Sequence, residues 1–275
     1  MKEANKNRTE LLPFGEAGRG LSIVKIGGNV IENTAELDQF LVLFSKLEGP
    51  KILVHGGGKL ATELASKLGV ESKLVNGRRI TDAESIDIIT MVYGGLANKT
   101  IVAKLQANDC NAIGLSGADG NAIQAHKRPV KEIDYGFVGD IDGVNATLID
   151  SLLKANLTPV FCALSHDGKG QILNTNADTI ASEIAIGMSE LYETTLYYCF
   201  EKKGVLLSIN DENSVVKHIN SEKYKELLDQ KIIADGMLPK LENCFHALNN
   251  KVHKVCLGDL DMLKKEVTLF TTITL

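Results

Sequence analysis

Lys25 is chemically out of place in its own neighbourhood. It interrupts the apolar run Ser22-Ile23-Val24-Lys25-Ile26 and is followed at once by Gly27-Gly28. β-Branched residues in such a run read as a buried strand, where an ammonium is costly unless an anion meets it. Glycines at the strand exit leave backbone N–H groups bare, and amide donors beside an ammonium suit phosphate oxygens. A lysine snorkelling past an edge strand accounts for Lys25 equally well. A second such place follows Lys51-Ile52-Leu53-Val54-His55, which runs directly into Gly56-Gly57-Gly58 and then into helical spacing from Leu60 to Leu68. A strand that breaks into glycines and a helix N-terminus is a ready anion site.

Three further stretches carry polar chemistry. Leu74 to Thr81 alternates around Asn76-Gly77, a strong hairpin signal, with Arg78 and Arg79 just past the turn. Adjacent residues of a strand face opposite ways, so one of the two arginines can enter a cleft while the other stays in solvent. Asn174-Thr175-Asn176-Ala177-Asp178 precedes the apolar helix Ile180 to Met188 and reads either as plain capping or as a cluster of site residues. Lys240 lies within one turn of a helix start, next to Pro239, where an ammonium opposes the helix dipole.

The common nucleotide signatures are missing: Gly58-Lys59 is followed by Leu60, and no G-x-G-x-x-G follows a strand. No nucleophile elbow or paired-histidine site is present either. Two glycine-rich anion loops, two anomalous lysines and one hairpin arginine suit the transfer of a phosphoryl group between two anionic molecules, where catalysis is placement and charge neutralisation. No general base is needed if the acceptor is a carboxylate.

These residues need elements to hold them. The 275 residues, 44% hydrophobic and 24% charged, can bury a large core and fit one large domain or two lobes. Strands and helices alternate along the chain, with helices from Ala35 to Leu47, Ala83 to about Gln106, Ala146 to Ala155 and Ser221 to Asp229, and strands at Asn111–Leu115, Thr158–Leu164, Thr195–Cys199 and Val252–Leu257. That order predicts an open three-layer α/β/α sandwich with a mostly parallel sheet, in which ligands bind beyond the strand exits. The long helix from Ala83, interrupted at Gly94-Gly95, should present Ile86, Ile89, Val92, Tyr93 and Leu96 on one side, to a sheet or to a second subunit. A net charge of −5, without any long basic run, argues against nucleic acid as the partner. No apolar run is long enough for a membrane span, and Met1–Gly20 has no signal-peptide core, so a cytoplasmic protein is expected. Cys110, Cys162, Cys199, Cys244 and Cys256 read as small core residues.

Taken together, Lys25-Ile26-Gly27-Gly28, His55-Gly56-Gly57-Gly58, Asn76-Gly77-Arg78-Arg79-Ile80-Thr81, Gly114-Leu115-Ser116-Gly117 with Asp119-Gly120-Asn121, Gly136-Phe137-Val138-Gly139, Asn174 to Asp178, and Asp235-Gly236-Met237 with Lys240 resemble the N-acetylglutamate kinases of arginine biosynthesis, in the amino acid kinase superfamily. The resemblance implies an N-terminal extension (1–20), an acyl-amino-acid-binding and dimerisation lobe (21–188) and an ATP-binding lobe (189–275). It implies Lys25, Lys240 and Asp178 as catalytic residues, with Asp178 orienting both lysines, and Gly57, Gly58, Arg79 and Asn174 on the acceptor. It places ATP against Gly27, Gly28, Glu201, Lys202, Gly204, Ile232, Ile233 and Ala234, with Mg2+ carried by the nucleotide phosphates rather than by a protein cage. A homodimer through the helix from Ala83 is implied as well. Arginine-inhibited relatives carry an N-terminal helix that links dimers into hexamers, for which Thr9–Phe14 is a weak match, so a dimer without strong arginine inhibition is expected.

The chain departs from the pattern where Phe200-Glu201-Lys202-Lys203-Gly204 replaces the usual Ser/Thr-Asp-Val-x-Gly, and where Thr271-Thr272 replaces a glycine-threonine. Lys59 is also not the usual residue. It reads as a solvated first-turn lysine; otherwise Lys59 or Arg78 could meet an extra carboxylate on a bulkier acyl group such as N-succinyl. A non-catalytic nucleotide or amino-acid sensor on the same fold is the reading from another class.

Overall fold

The computed structural model describes residues 20–75, 78–233 and 237–275. The Asn76-Gly77 turn, the Thr9–Phe14 segment and Ala234-Asp235-Gly236 lie outside the described residues.

Alternation along the first strand, β1 (Gly20–Ile26), already shows the layering. Ile23 packs into one apolar core and Val24 and Ile26 into another, so both faces of the strand are covered. The same holds for β2 (Lys51–His55), whose residues are all buried. The remaining strands are β3 (Leu74–Val75), β4 (Arg78–Arg79), β5 (Ala112–Leu115), β6 (Ile123–Lys127), β7 (Gly139–Val144), β8 (Thr158–Cys162), β9 (Leu164–His166), β10 (Ile172–Asn174), β11 (Glu193–Cys199), β12 (His218–Ile219), β13 (Lys254–Gly258) and β14 (Thr271–Ile273). Eight of them form one sheet in the order β12-β14-β13-β11-β1-β2-β8-β5. Its only antiparallel pairing among the described residues is β13 with β14.

The helices are α1 (Gly28–Glu32), α2 (Thr34–Ser45), α3 (Gly58–Lys67), α4 (Ala83–Ile89), α5 (Asn98–Gln106), α6 (Ala146–Lys154), α7 (Ala177–Met188), α8 (Ser221–Asp229) and α9 (Met237–Asn249). Phe40, Phe44, Ile101 and Leu105 of α2 and α5 pack with Val24, Ile26 and Leu53 on one face of the sheet. Ala61, Ile149, Ile180, Ile184 and Leu241 of α3, α6, α7 and α9 pack with Ile23, Ile52 and Val54 on the other. The expected three-layer α/β/α sandwich with a mostly parallel sheet is the fold found. Each fully buried Phe, Ile or Leu in these layers contributes on the order of 1.5–3 kcal/mol of transfer free energy, so both faces supply stability. The five cysteines are buried and unbridged.

Three differences from the sequence reading concern the site. The expected strand Thr158–Leu164 breaks at Ala163, and its far end begins β9, which joins β6, β7 and β10 in a separate four-stranded sheet. The helix from Ala83 runs on through Gly94-Gly95, but as a π-helical stretch over Thr90–Ala97. That wide turn shifts the phase of the helix, so Tyr93 and Ala97 are buried while Leu96 is 61% exposed rather than part of the apolar side. Finally, β1 lies between β2 and β11, so Lys25 is on a central strand and does not snorkel past an edge.

Candidate active site

Parallel register fixes where Lys25 points. It sits between Val54 of β2 and Tyr198 of β11, on the face that carries Ile23 and α7. The helix α7 begins there because Asn176 caps it: its side chain accepts from the Asp178 and Thr179 N–H groups. Asp178 thus occupies the first turn of α7, where a carboxylate complements the helix dipole. Lys240 arrives from the first turn of α9.

The three side chains meet. Lys25 Nζ lies 2.6 Å from Asp178 Oδ1 and Lys240 Nζ donates to Asp178 Oδ2 at 3.1 Å. They are only 13–19% exposed. Burial is the largest single influence on Asp178 and raises its pKa, but Lys25 and Lys240 together outweigh it and hold the group at about 2. One carboxylate therefore clamps two ammonium groups that are 215 positions apart in the chain.

The glycine loops border this cluster. Gly57 caps α3, and a Cβ built on Gly56 would meet the Cβ of Ala177, the neighbour of Asp178, at 3.9 Å. A Cβ on Gly57 would lie 2.9 Å from the Tyr93 ring, so only glycine admits the π-helical turn this close. His55 closes the loop from beneath. Its Nδ1 bonds the Gly56 carbonyl at 2.7 Å and its Nε2 lies 3.0 Å from Asn98 Nδ2. With an amide donor facing Nε2, the proton sits on Nδ1. Burial is the main reason that its pKa falls to about 4, and Lys99 adds to the fall while the Gly56 carbonyl opposes it.

Of the hairpin arginines, Arg79 turns inward and Arg78 is exposed. Arg79 donates to Ser72 Oγ at 2.6 Å, the Gly58 carbonyl at 2.8 Å and Thr62 Oγ1 at 2.7 Å, so it is tied to the start of α3. Asn174, on β10, donates to Thr81 Oγ1 at 3.0 Å. Lys59, with its side chain 63% exposed, is a solvated first-turn lysine of α3 that also pairs with Glu32 at 2.9 Å and with the Asn29 side chain. The other Glu32 oxygen faces Gly28, 3.2 Å from where a Cβ would stand. Neither Glu32 nor Tyr93 carried a site signal in the sequence: Tyr93 read only as one apolar position of the helix from Ala83, and it takes the fold to bring either side chain to a glycine.

The expected nucleotide residues fall on three segments. Gly27 and Gly28 leave β1 beside the end of β11, and a Cβ on Gly27 would lie 3.9 Å from the Cys199 carbonyl. Glu201 and Lys202 follow β11: Glu201 is exposed, and Lys202 pairs with Glu212 at 3.9 Å. Gly204 has a packing reason of its own, since a Cβ there would meet Thr271 Oγ1 at 2.6 Å. Ile232 and Ile233 pack against the core after α8, and Ala234 lies outside the described residues.

With this geometry in hand, comparison with known proteins is specific. The model of the amino acid kinase family matches residues 20–259. Similar sequences include proteins named acetylglutamate kinase from Phocaeicola vulgatus, 57% identical over 86% of this chain and 91% of the relative. One from Cytophaga hutchinsonii is 52% identical over 88% and 92%. Among solved structures, smu.665 from Streptococcus mutans UA159 superposes with a TM-score of 0.72 at 25% identity, covering 92% of this chain and 98% of that one. Carbamate kinase from Giardia lamblia bound to AMP-PNP superposes at 0.66 and 12% identity, covering 94% and 99%, and shares the fold. Two lysines clamped by one aspartate beside two glycine loops, on a sheet shared with these structures and in a sequence more than half identical to these relatives, mean that the chain belongs to the amino acid kinase family.

Proposed function

We propose that the protein transfers the γ-phosphoryl group of ATP to the γ-carboxylate of N-acetyl-L-glutamate, giving N-acetyl-L-glutamyl 5-phosphate and ADP, a step of arginine biosynthesis. Kinase activity follows from the family, and the acceptor from the relatives named acetylglutamate kinase at 52–57% identity. The observation that carries the reading is the convergence of Lys25 and Lys240 on Asp178.

The chemistry balances without a base. An acceptor carboxylate oxygen attacks the γ-phosphorus, the bond to the bridging oxygen breaks, and ADP leaves with the electron pair. Negative charge gathers on oxygens in flight, so donors fixed in advance lower the barrier most. Lys25 and Lys240 meet that charge, and Asp178, ionised at any physiological pH, keeps both ammonium groups aimed without taking a proton. The amides of Gly27 and Gly28, and of Gly57 and Gly58, hold phosphoryl and acceptor oxygens. Arg79 and Asn174 bind the acyl-amino acid through its α-carboxylate and amide. Glu201, Lys202, Gly204 and Ile232 to Ala234 line the nucleotide.

The glycine amides and the two lysines suit phosphate oxygens, while no group of three or more His, Cys, Asp or Glu side chains gathers around an ion position among the described residues. Mg2+ carried on the ATP phosphates would supply further charge neutralisation. Residues 21–188 form the acceptor and dimerisation lobe and 189–275 the ATP lobe, joined through the pairing of β1 with β11. The protein acts in the cytoplasm as a homodimer. Met91, 53% exposed, lines a recess with Gly95, Lys99 and Leu115 of the sheet's edge strand, and Leu96, 61% exposed, lies on the same π-helical stretch, a surface suited to a second copy. No helix among the described residues is long and apolar enough to cross a membrane.

A coupled ADP-release assay over N-acetylglutamate, N-succinylglutamate, glutamate and aspartate tests the reading. N-Acetylglutamate should turn over well above the free amino acids. Preference for the succinyl compound would move the substrate to a bulkier acyl group, and ATP binding without any turnover would favour a sensor.

A further inference from the structure

The stretch Phe200 to Gly204, where the chain leaves its family's pattern, has a second role in this structure. Residues two apart on a strand share a face, and Tyr198, in register with Lys25, sets that face toward α7. Phe200 leaves β11 with its N–H bonded to the Gly258 carbonyl of β13 at 2.9 Å, which carries the alternation one step further. Lys240 Nζ lies 5.1 Å from the Tyr198 ring centroid and 5.6 Å from that of Phe200, both within reach of the attraction between a cation and an aromatic face. Tyr198 is fully buried and donates its hydroxyl to the Asp178 carbonyl at 3.0 Å.

We propose that Tyr198 and Phe200 form an aromatic cradle that positions the Lys240 ammonium, so that Phe200 is a positioning residue acting through Lys240. This rests on the role given to Lys240 above. An ammonium held by Asp178 alone can swing about one carboxylate, whereas two ring faces within about 6 Å of it narrow that swing. The negative faces stabilise the cation without accepting its protons, so all three N–H donors stay available to oxygens. A hydroxyl at position 200, as in the usual Ser/Thr, would instead engage one of them.

The test uses the full chain with Phe200 replaced by phenylalanines carrying one, two or three ring fluorines, which weaken the ring's negative face at nearly constant shape, alongside Phe200→Leu and Phe200→Tyr. With ATP and N-acetylglutamate, kcat should fall stepwise with each fluorine and about fivefold to thirtyfold in Phe200→Leu. The KM for the acylglutamate should stay within about twofold, because the cradle acts through an ammonium that serves the transition state. Phe200→Tyr should keep most of the activity. Packing alone would leave the fluorine series flat. Lys240→Met separates the two levels: if it is inactive while the fluorine series is flat, the cradle is wrong and the kinase reading stands. If Lys240→Met retains near-normal turnover, both fail.

Discussion

Asp178 keeps its charge against the largest influence acting on it, and two lysines are the reason. Its folded pKa of about 2 lies below the ordinary carboxylate value, so the unfolded chain binds the proton first as pH falls. The stabilisation is complete above about pH 4 and is lost down to about pH 2, on the order of 2 kcal/mol from this group. His55 acts in the same direction higher up. Its pKa falls to about 4 on folding, so between roughly pH 6.5 and 4 the unfolded state takes a proton that the folded state refuses, at a cost of about 3 kcal/mol. Denaturant titrations should show stability declining from pH 6.5 downward, and His55→Gln should flatten the upper part of that decline. Substitution within the triad is harsher. Lys25→Met or Asp178→Asn should lower kcat by at least about a hundredfold. Asp178→Asn should also lower the melting temperature, since two ammonium groups then face each other uncompensated. Wild-type turnover in Lys25→Met would end the account.

Elements decide how closely those residues approach. The π-helical turn over Thr90–Ala97 drives Tyr93 against Gly57, and α3 starts where Gly57 stops. Gly57→Ala should therefore lower kcat about tenfold or more by pushing the loop off its amide geometry. Tyr93→Leu in the same chain should recover part of the loss, and a double-mutant cycle on kcat measures the coupling. Strictly additive losses would show that ring and loop do not communicate. The helix around Tyr93 was legible as amphipathic from Ile86, Ile89 and Val92, but its π turn was not, since the i→i+5 bonding depends on what the helix packs against. The four-stranded sheet of β6, β7, β9 and β10 escaped for a related reason. Its strands are short, and the pairing that joins its two halves, β6 with β9, links segments far apart in sequence.

For the whole molecule, the exposed Met91 and Leu96 lie on one π-helical stretch, and Met91 shares a recess with Leu115 of the edge strand β5, whose outer hydrogen-bonding side has no partner strand among the described residues. Sedimentation should give a dimer, and Met91→Glu with Leu96→Glu should shift it toward monomer, because burying two carboxylates in an apolar contact costs several kcal/mol. A hexamer, or a dimer indifferent to both changes, would place the interface elsewhere.

What the sequence determined by itself was local and periodic: the alternation that makes a covered parallel sheet, the strands that end in Gly27-Gly28 and Gly56-Gly57-Gly58, the Asn176 cap, and the chemistry that an isolated ammonium and bare amides are suited to. Those features depend on neighbours a few residues apart. Only the tertiary structure decided that Lys25 stands on a central strand, that Lys240 and Asp178 reach it, that Arg79 rather than Arg78 turns inward, and that the exposed Lys59 pairs with Glu32. Each of these is a contact across the fold, and charge pairing at a few ångströms is set by packing that no short stretch of chain contains.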